Sequence, residues 1–184
     1  MSSRLGGVPV ATETLQLVVD SVRERTPGIT DDDADILAIA AIKFMILKSK
    51  AGSNINFDPE TSLSLEGDTG PYLQYTVVRA KSVLAKIPDG YVARTEGRDS
   101  DMILERTLLH FPLVVEQAIV EWAPHHVAQY LLELAQTFNS WYSRNRIIDT
   151  ENPNEAYNIE LTRAVAEAIE NGLYLLGIKI PSKM

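Results

Sequence analysis

The sequence predicts an all-α fold, a helical bundle preceded by a loop with one short extended stretch. Apolar residues recur every three or four positions over most of the chain, while alternation with a period of two is weak throughout. Thr, Asp and Pro stand where these segments begin, and Gly or Pro stands where they stop. At 184 residues, 45% hydrophobic and 23% charged, the chain can enclose a core and is too apolar for a disordered polymer.

Met1 to Val10 mixes glycine, serine and proline and is expected to be a loop. Thr12 is expected to cap a helix from Glu13 to Arg25, where Leu15, Val18, Val19 and Val22 share a face and Pro27-Gly28 ends the run. Thr30 and the cluster Asp31, Asp32, Asp33 and Asp35 open a second helix reaching about Lys48. Acidic residues there cap amides and complement the helix dipole, and the alternating ligands and glycine turn of a metal loop are missing. Ala51 to Asp68 is rich in glycine, asparagine and proline, with the extended stretch near Asn54 to Asp58.

Thr69 or Asp68 then caps a helix with Pro71 in its first turn. Leu73, Val77, Ala80, Leu84 and Ile87 form its apolar stripe, and Gln74, Lys81 and Lys86 are placed on the outer side. Pro88-Asp89-Gly90 stops it, and the polar segment from Asp89 to Ser100 is the expected mobile loop. Two short helices, Asp101 to His110 and Pro112 to Glu121, are expected to join at Phe111-Pro112. Pro124 restarts the chain, and Val127, Leu131, Leu134, Ala135, Phe138, Trp141 and Tyr142 mark an amphipathic helix from His125 to Tyr142. After a loop from Asp149 to Asn154, Ile159, Thr162, Val165, Ala166, Ile169, Leu173 and Leu176 mark the last helix, ended by Gly177.

Composition also excludes functions. Without cysteine there is no disulfide scaffold, thiolate metal site or cysteine nucleophile, and a reducing, cytoplasmic compartment is expected. A net charge of −8 argues against coating nucleic acid by indiscriminate phosphate attraction, though not against a localised RNA contact. The one long apolar run, Ile36 to Leu47, is too short to span a bilayer and is broken by Lys43, so no membrane partner is expected. His110, His125 and His126 lack the spacing of a ligand pair, so no metal site is expected, and no phosphate-binding glycine loop or nucleophile elbow is present.

The letters add what periodicity cannot. Met1-Ser2-Ser3-Arg4, then Gly70-Pro71-Tyr72-Leu73-Gln74-Tyr75 with Arg79, then Tyr130 to Ala135 with Phe138-Asn139-Ser140-Trp141-Tyr142, and finally Leu175-Leu176-Gly177-Ile178 with Pro181 and Met184 occur in an order that resembles arginyl-tRNA synthetases. The resemblance covers essentially the whole chain. It implies a helical anticodon-binding domain of the DALR type over residues 70–184. It also implies that residues 1–69 follow the signature loop of a class I catalytic domain, with Met1, Ser2, Ser3 and Arg4 as a partial loop on the ATP side. ATP and magnesium would serve the complete enzyme, none being expected for this chain alone, because the ATP and arginine sites would lie upstream.

The partners so implied are an arginine tRNA and an upstream catalytic domain, in the same polypeptide or a separate chain, with no DNA. Single-stranded anticodon loops are read by stacking splayed bases on aromatic or guanidinium surfaces. Phe138, Asn139, Trp141, Tyr142, Arg144 and Arg146 offer that combination within nine positions, and the resemblance adds the terminal Met184. Core packing competes for Phe138, Trp141 and Tyr142, a helix-packing hydrogen bond for Asn139, and a solvated surface role for the two arginines. Tyr72, Gln74, Tyr75 and Arg79 suit a junction between the two parts. Asn158 and Val77-Val78 depart from the pattern, and the first removes a cation from the last helix. The alternative function is a free-standing helical interaction or tRNA-binding protein derived from the same domain, without ligase activity.

Overall fold

A computed structural model describes residues 11–88, 91 and 102–184. Among them the helices are α1 (Ala11–Arg25), α2 (Asp31–Leu47), α3 (Pro59–Ser62), α4 (Gly70–Leu84), α5 (Ile103–Leu109), α6 (Phe111–Val120), α7 (His125–Tyr142) and α8 (Glu155–Leu175), and no strand occurs. None of these helices is long and apolar enough to cross a membrane. The expected loops over 1–10 and 89–100 lie outside the described residues, Tyr91 excepted.

Caps follow the residue chemistry closely. Thr30 Oγ1 accepts from the Asp33 amide at 3.1 Å, and Thr69 Oγ1 accepts from the Tyr72 amide at 3.0 Å. Each hydroxyl satisfies an amide that the first helical turn leaves unpaired. Gly177 takes φ +65°, its amide bonds to Tyr174, and the Ile178 amide reaches back to Leu173 at 2.8 Å, the two-bond ending that a left-handed glycine permits. Three local expectations need correction. α1 already includes Ala11 and Thr12, so Thr12 lies within the helix and does not cap it. α3 was not foreseen, because four residues carry no periodicity even though Asp58 caps it and Pro59 starts it. The break between α5 and α6 falls at His110, since Pro112 sits in the first turn of α6, where its missing amide costs nothing.

Two apolar clusters result. The larger joins α4, α5, α7 and α8 through Leu73, Leu104, Leu131, Leu134, Phe138, Val165, Ile169 and Leu173, and it takes in Ala40 and Phe44 of α2. The smaller lies between α1, the other face of α2 and Leu63, with Met184 packed against it. α2 therefore serves both clusters, which explains why Ile36 to Leu47 is apolar around most of its circumference.

α4 reaches α2 at very short range. A Cβ on Gly70 would stand 2.5 Å from the Ala40 carbonyl oxygen and 2.8 Å from its carbon. Gly172 on α8 meets Leu131 of α7 in the same way, with a Cβ 2.5 Å from the leucine Cδ2. A leucine tip can yield, whereas the Ala40 backbone cannot. Gly70→Ala should therefore lower stability by about 1–3 kcal/mol and Gly172→Ala by less. Urea unfolding midpoints of the two variants check this ordering.

Candidate nucleic-acid interface

The predicted contact residues other than Met184 lie in and just after the C-terminal end of α7, which packs beside α4. Tyr72, Thr76 and Arg79 are spaced four and three apart on α4, so they share one face, and that face meets Asn139 and Tyr142 of α7. The Asn139 Nδ2 donates to the Tyr72 hydroxyl and to Thr76 Oγ1, both at 3.0 Å. The Arg79 guanidinium carbon lies 4.2 Å above the centre of the Tyr142 ring. A cation on an aromatic face at this range contributes about 0.5–2 kcal/mol and fixes the ring plane. Arg79 was read from the sequence as a junction residue. Its spacing from Tyr72 on one helix face is the signal that would have placed it here.

Phe138 is a correction, since it is fully buried in the larger cluster and cannot meet a base. It instead supports the two rings that can, with centroids 5.9 Å from Trp141 and 5.6 Å from Tyr142. Both of those rings are half-buried. Trp141 also borders a groove of about 330 Å³ lined by Ile103, Leu104, Gln136, Ser140 and Arg144. Arg144 is exposed and folded back on its own helix, with Nε 3.1 Å from the Ser140 carbonyl and Nη2 3.3 Å from Ser140 Oγ. Arg146 is exposed as well, and its carbonyl accepts from Nδ2 of the buried Asn158 at 3.3 Å. Asn158 thus anchors the turn carrying Arg146.

Met184 is not brought to this cluster but packs beside Val22, Leu37 and Leu63 at the smaller core. The tail leading to it is tied at three points. Lys43 Nζ donates to the Gly177 carbonyl, Gln74 Nε2 donates to the Lys179 carbonyl at 2.6 Å, and Asp33 accepts from both the amide and the hydroxyl of Ser182 at 2.9 Å each. Gln74 is consequently fully buried rather than outward-facing, which corrects the sequence reading. Periodicity placed a polar letter on the solvent side, and a backbone carbonyl from the far end of the chain supplied the partner that allows it inside. Met1, Ser2, Ser3 and Arg4 lie outside the described residues.

The acidic cluster of α2 is occupied by such contacts, with Asp31 paired to Arg23 at 2.8 Å and Asp33 holding the tail. No group of three metal-ligating side chains occurs among the described residues. His126 pairs with Glu121 at 2.8 Å, where α6 gives way to α7.

The DALR anticodon binding domain family matches this chain over residues 73–184. The arginine–tRNA ligase of Bacteroides thetaiotaomicron is 33% identical across the whole chain, which corresponds to 34% of that protein. That of Halobacterium salinarum is 36% identical, again over the whole chain and 31% of its own length. The arginyl-tRNA synthetase structure from Thermus thermophilus superposes with a TM-score of 0.81 at 31% identity, covering 94% of this chain and 31% of that one. The Plasmodium falciparum arginyl-tRNA synthetase shares the fold, with a TM-score of 0.72 at 20% identity over 94% of this chain and 32% of its own. The chain spans about a third of the length of the curated relatives it matches.

The Ser182 amide and hydroxyl hold the Asp33 carboxyl below the usual carboxylate range. A depressed pKa means that the tail contact stabilises the fold above the ordinary aspartate value near pH 4 and is lost as pH falls below it. Asp33→Ala should therefore lower the melting temperature at pH 7, and the gap from the parent should narrow between about pH 4 and pH 3. Thermal melts of both proteins across that interval test the assignment, and a constant gap would refute it.

Proposed function

The chain belongs to the DALR anticodon binding domain family, and from that premise we propose that it is the tRNA-reading part of an arginine–tRNA ligase. The observation that carries the reading is the pairing of Arg79 with Tyr142 beside Trp141 and Arg144 at one end of the bundle. Arg79 covers one face of the Tyr142 ring and holds it at a fixed angle. An unstacked base of the anticodon loop would take the remaining accessible edge and face of Tyr142 and Trp141. Arg144 and Arg146 would meet the loop phosphates, Arg144 exchanging its bonds to Ser140 for phosphate oxygens. Asn139 acts indirectly, because its Nδ2 is committed to Tyr72 and Thr76 and holds α7 in register with α4, while its Oδ1 is buried.

Met184 belongs to this reading as a contact at a separate place, with its side chain against the smaller core and the tail fixed by Asp33. Residues 1–69 would be the end of the catalytic part and 70–184 the anticodon-binding domain. Arginine activation needs sites for ATP, magnesium and arginine that stabilise the charge developing on the α-phosphate. The family resemblance assigns those sites to an upstream catalytic part, and the chain alone is therefore proposed to be inactive in arginine-dependent ATP–pyrophosphate exchange.

Binding to an arginine tRNA at low salt is the expected outcome, with affinity falling steeply as salt rises because phosphate contacts release counterions. Tyr142→Ala should weaken binding about tenfold or more, in line with roughly 1–3 kcal/mol for a stacked base. Arg144→Ala should weaken it less and reduce its salt dependence. Arg79→Gln should weaken it through the loosened Tyr142 ring while leaving the salt slope nearly unchanged. Filter binding or fluorescence anisotropy with the tRNA transcript measures all three. Unchanged affinity in both Tyr142→Ala and Arg144→Ala would remove the site, and no retention of tRNA at low salt would remove the function.

A further inference from the structure

Among the described residues, three buried side-chain polar atoms have no hydrogen-bond partner: Gln74 Oε1, Asn139 Oδ1 and the Tyr130 hydroxyl. Two of the three belong to amides that grip α4. Asn139 holds one side of the helix through Tyr72 and Thr76, and Gln74 holds the other through its Nε2 bond to the Lys179 carbonyl at 2.6 Å. Position 74 lies about 160° around the helix from both 72 and 76, so the two grips oppose each other.

A buried amide with an idle oxygen is a costly way to fill space. Gln74 is 0% exposed, and its Oε1 is desolvated without gaining a bond, which offsets much of what the Lys179 contact contributes to stability. A methionine of similar length would occupy the same volume without that penalty. What the glutamine supplies instead is direction. It lies one turn after Gly70, on the face of α4 that is set against α2 and the tail. The tail is a fixed reference there: Lys43 binds the Gly177 carbonyl on one side of Lys179, and Asp33 binds the Ser182 amide and hydroxyl on the other. Both of these residues belong to α2, so Gln74 sets the rotation of α4 against α2.

Arg79 stands five residues further along α4, on the face that meets α7, with its guanidinium carbon 4.2 Å above the Tyr142 ring. Leu73 and Val77 would tolerate a small turn of the helix, because apolar contacts are weakly directional, and the arginine would then leave the ring centre. We propose that Gln74, with the tail that Asp33 fastens, is a positioning residue for the Arg79–Tyr142 pair and is kept for RNA affinity at no gain in stability. This rests on the reading of that pair as the base-stacking site. Gln74 is buried and touches no RNA. It holds the Tyr142 ring in one plane before the anticodon loop arrives, so binding does not have to order it.

Gln74→Met in the full chain tests this, with urea midpoints and the anisotropy of a labelled arginine tRNA transcript measured side by side. The midpoint should stay at or above that of the parent while affinity falls about three- to tenfold, a part of what a cation on an aromatic ring is worth. The loss should vanish when Arg79→Gln is already present and multiply with that of Arg144→Ala, with no change in the salt slope. Asp33→Asn frees the same tail from α2, so it should weaken binding alone and add nothing to Gln74→Met. Unchanged affinity in Gln74→Met overturns the proposal. So does a lowered midpoint together with an affinity loss that is equal in the Arg79→Gln and Arg144→Ala backgrounds. If Tyr142→Ala and Arg144→Ala bind as the parent does, the site itself is lost and this role with it; if they weaken binding and Gln74→Met does not, the role alone is lost.

Discussion

The contact of α4 with α2 at Gly70 governs the rest of the molecule. The helix can begin against the Ala40 carbonyl only because position 70 has no side chain, and the Thr69 cap sets the direction in which it leaves. Every important polar contact of α4 is counted from that start. Gln74 reaches the tail carbonyl of Lys179, Thr76 and Tyr72 meet Asn139, and Arg79 arrives over Tyr142. A rotation of the helix by one residue, about 100°, would break all of these together. The tail contact at Lys179 and the candidate interface are therefore positioned by one close approach of two backbones.

Buried polar groups divide the work of specification with the apolar cores. Leu73, Leu131, Leu134 and Ile169 could pack in more than one rotation of their helices, since apolar contacts are weakly directional. Gln74, Asn139, Asn158 and Asp33 accept few arrangements, because each leaves a desolvated donor or acceptor if its partner moves. They link segments far apart in sequence: Asp33 with Ser182, Gln74 with Lys179, Asn139 with Thr76. The tail is the clearest case. It leaves α8 at Gly177 beside Lys43 of α2 and ends beside Val22, Leu37 and Leu63, held along the way by three side chains that each bind its backbone.

Helices with a full apolar stripe were legible from the sequence. α2, α7 and α8 lie within a residue or two of their expected ends, and α4 starts as expected but ends at Leu84, three residues before Ile87, since caps, proline and glycine act locally and leave local traces. α3 was not legible, being shorter than the period that would reveal it. The cluster of aromatic and basic letters between Phe138 and Arg146 was legible and lies at one end of α7, but the surroundings of each member required the third dimension. Phe138 differs from Trp141 only in lying on the inward side of the same helix, and Arg79 enters the site from a helix some sixty positions earlier. Gln74 failed for the same reason: its partner is a carbonyl, and no sequence pattern advertises a carbonyl.

An acidic protein can present a nucleic-acid surface if its charges are segregated, and the proposed reading would rest on the helix ends for that segregation. Carboxylates gather at the start of α2, where they serve the helix dipole, the Arg23 pair and the tail. The arginines of the interface stand at the opposite kind of terminus, just after α7, where a cation is favoured by the dipole before any ligand arrives. α7 is 18 residues long, which separates its two ends by about 27 Å. The aromatic and basic end is thereby kept apart from Trp122 and the exposed apolar side chains of α6.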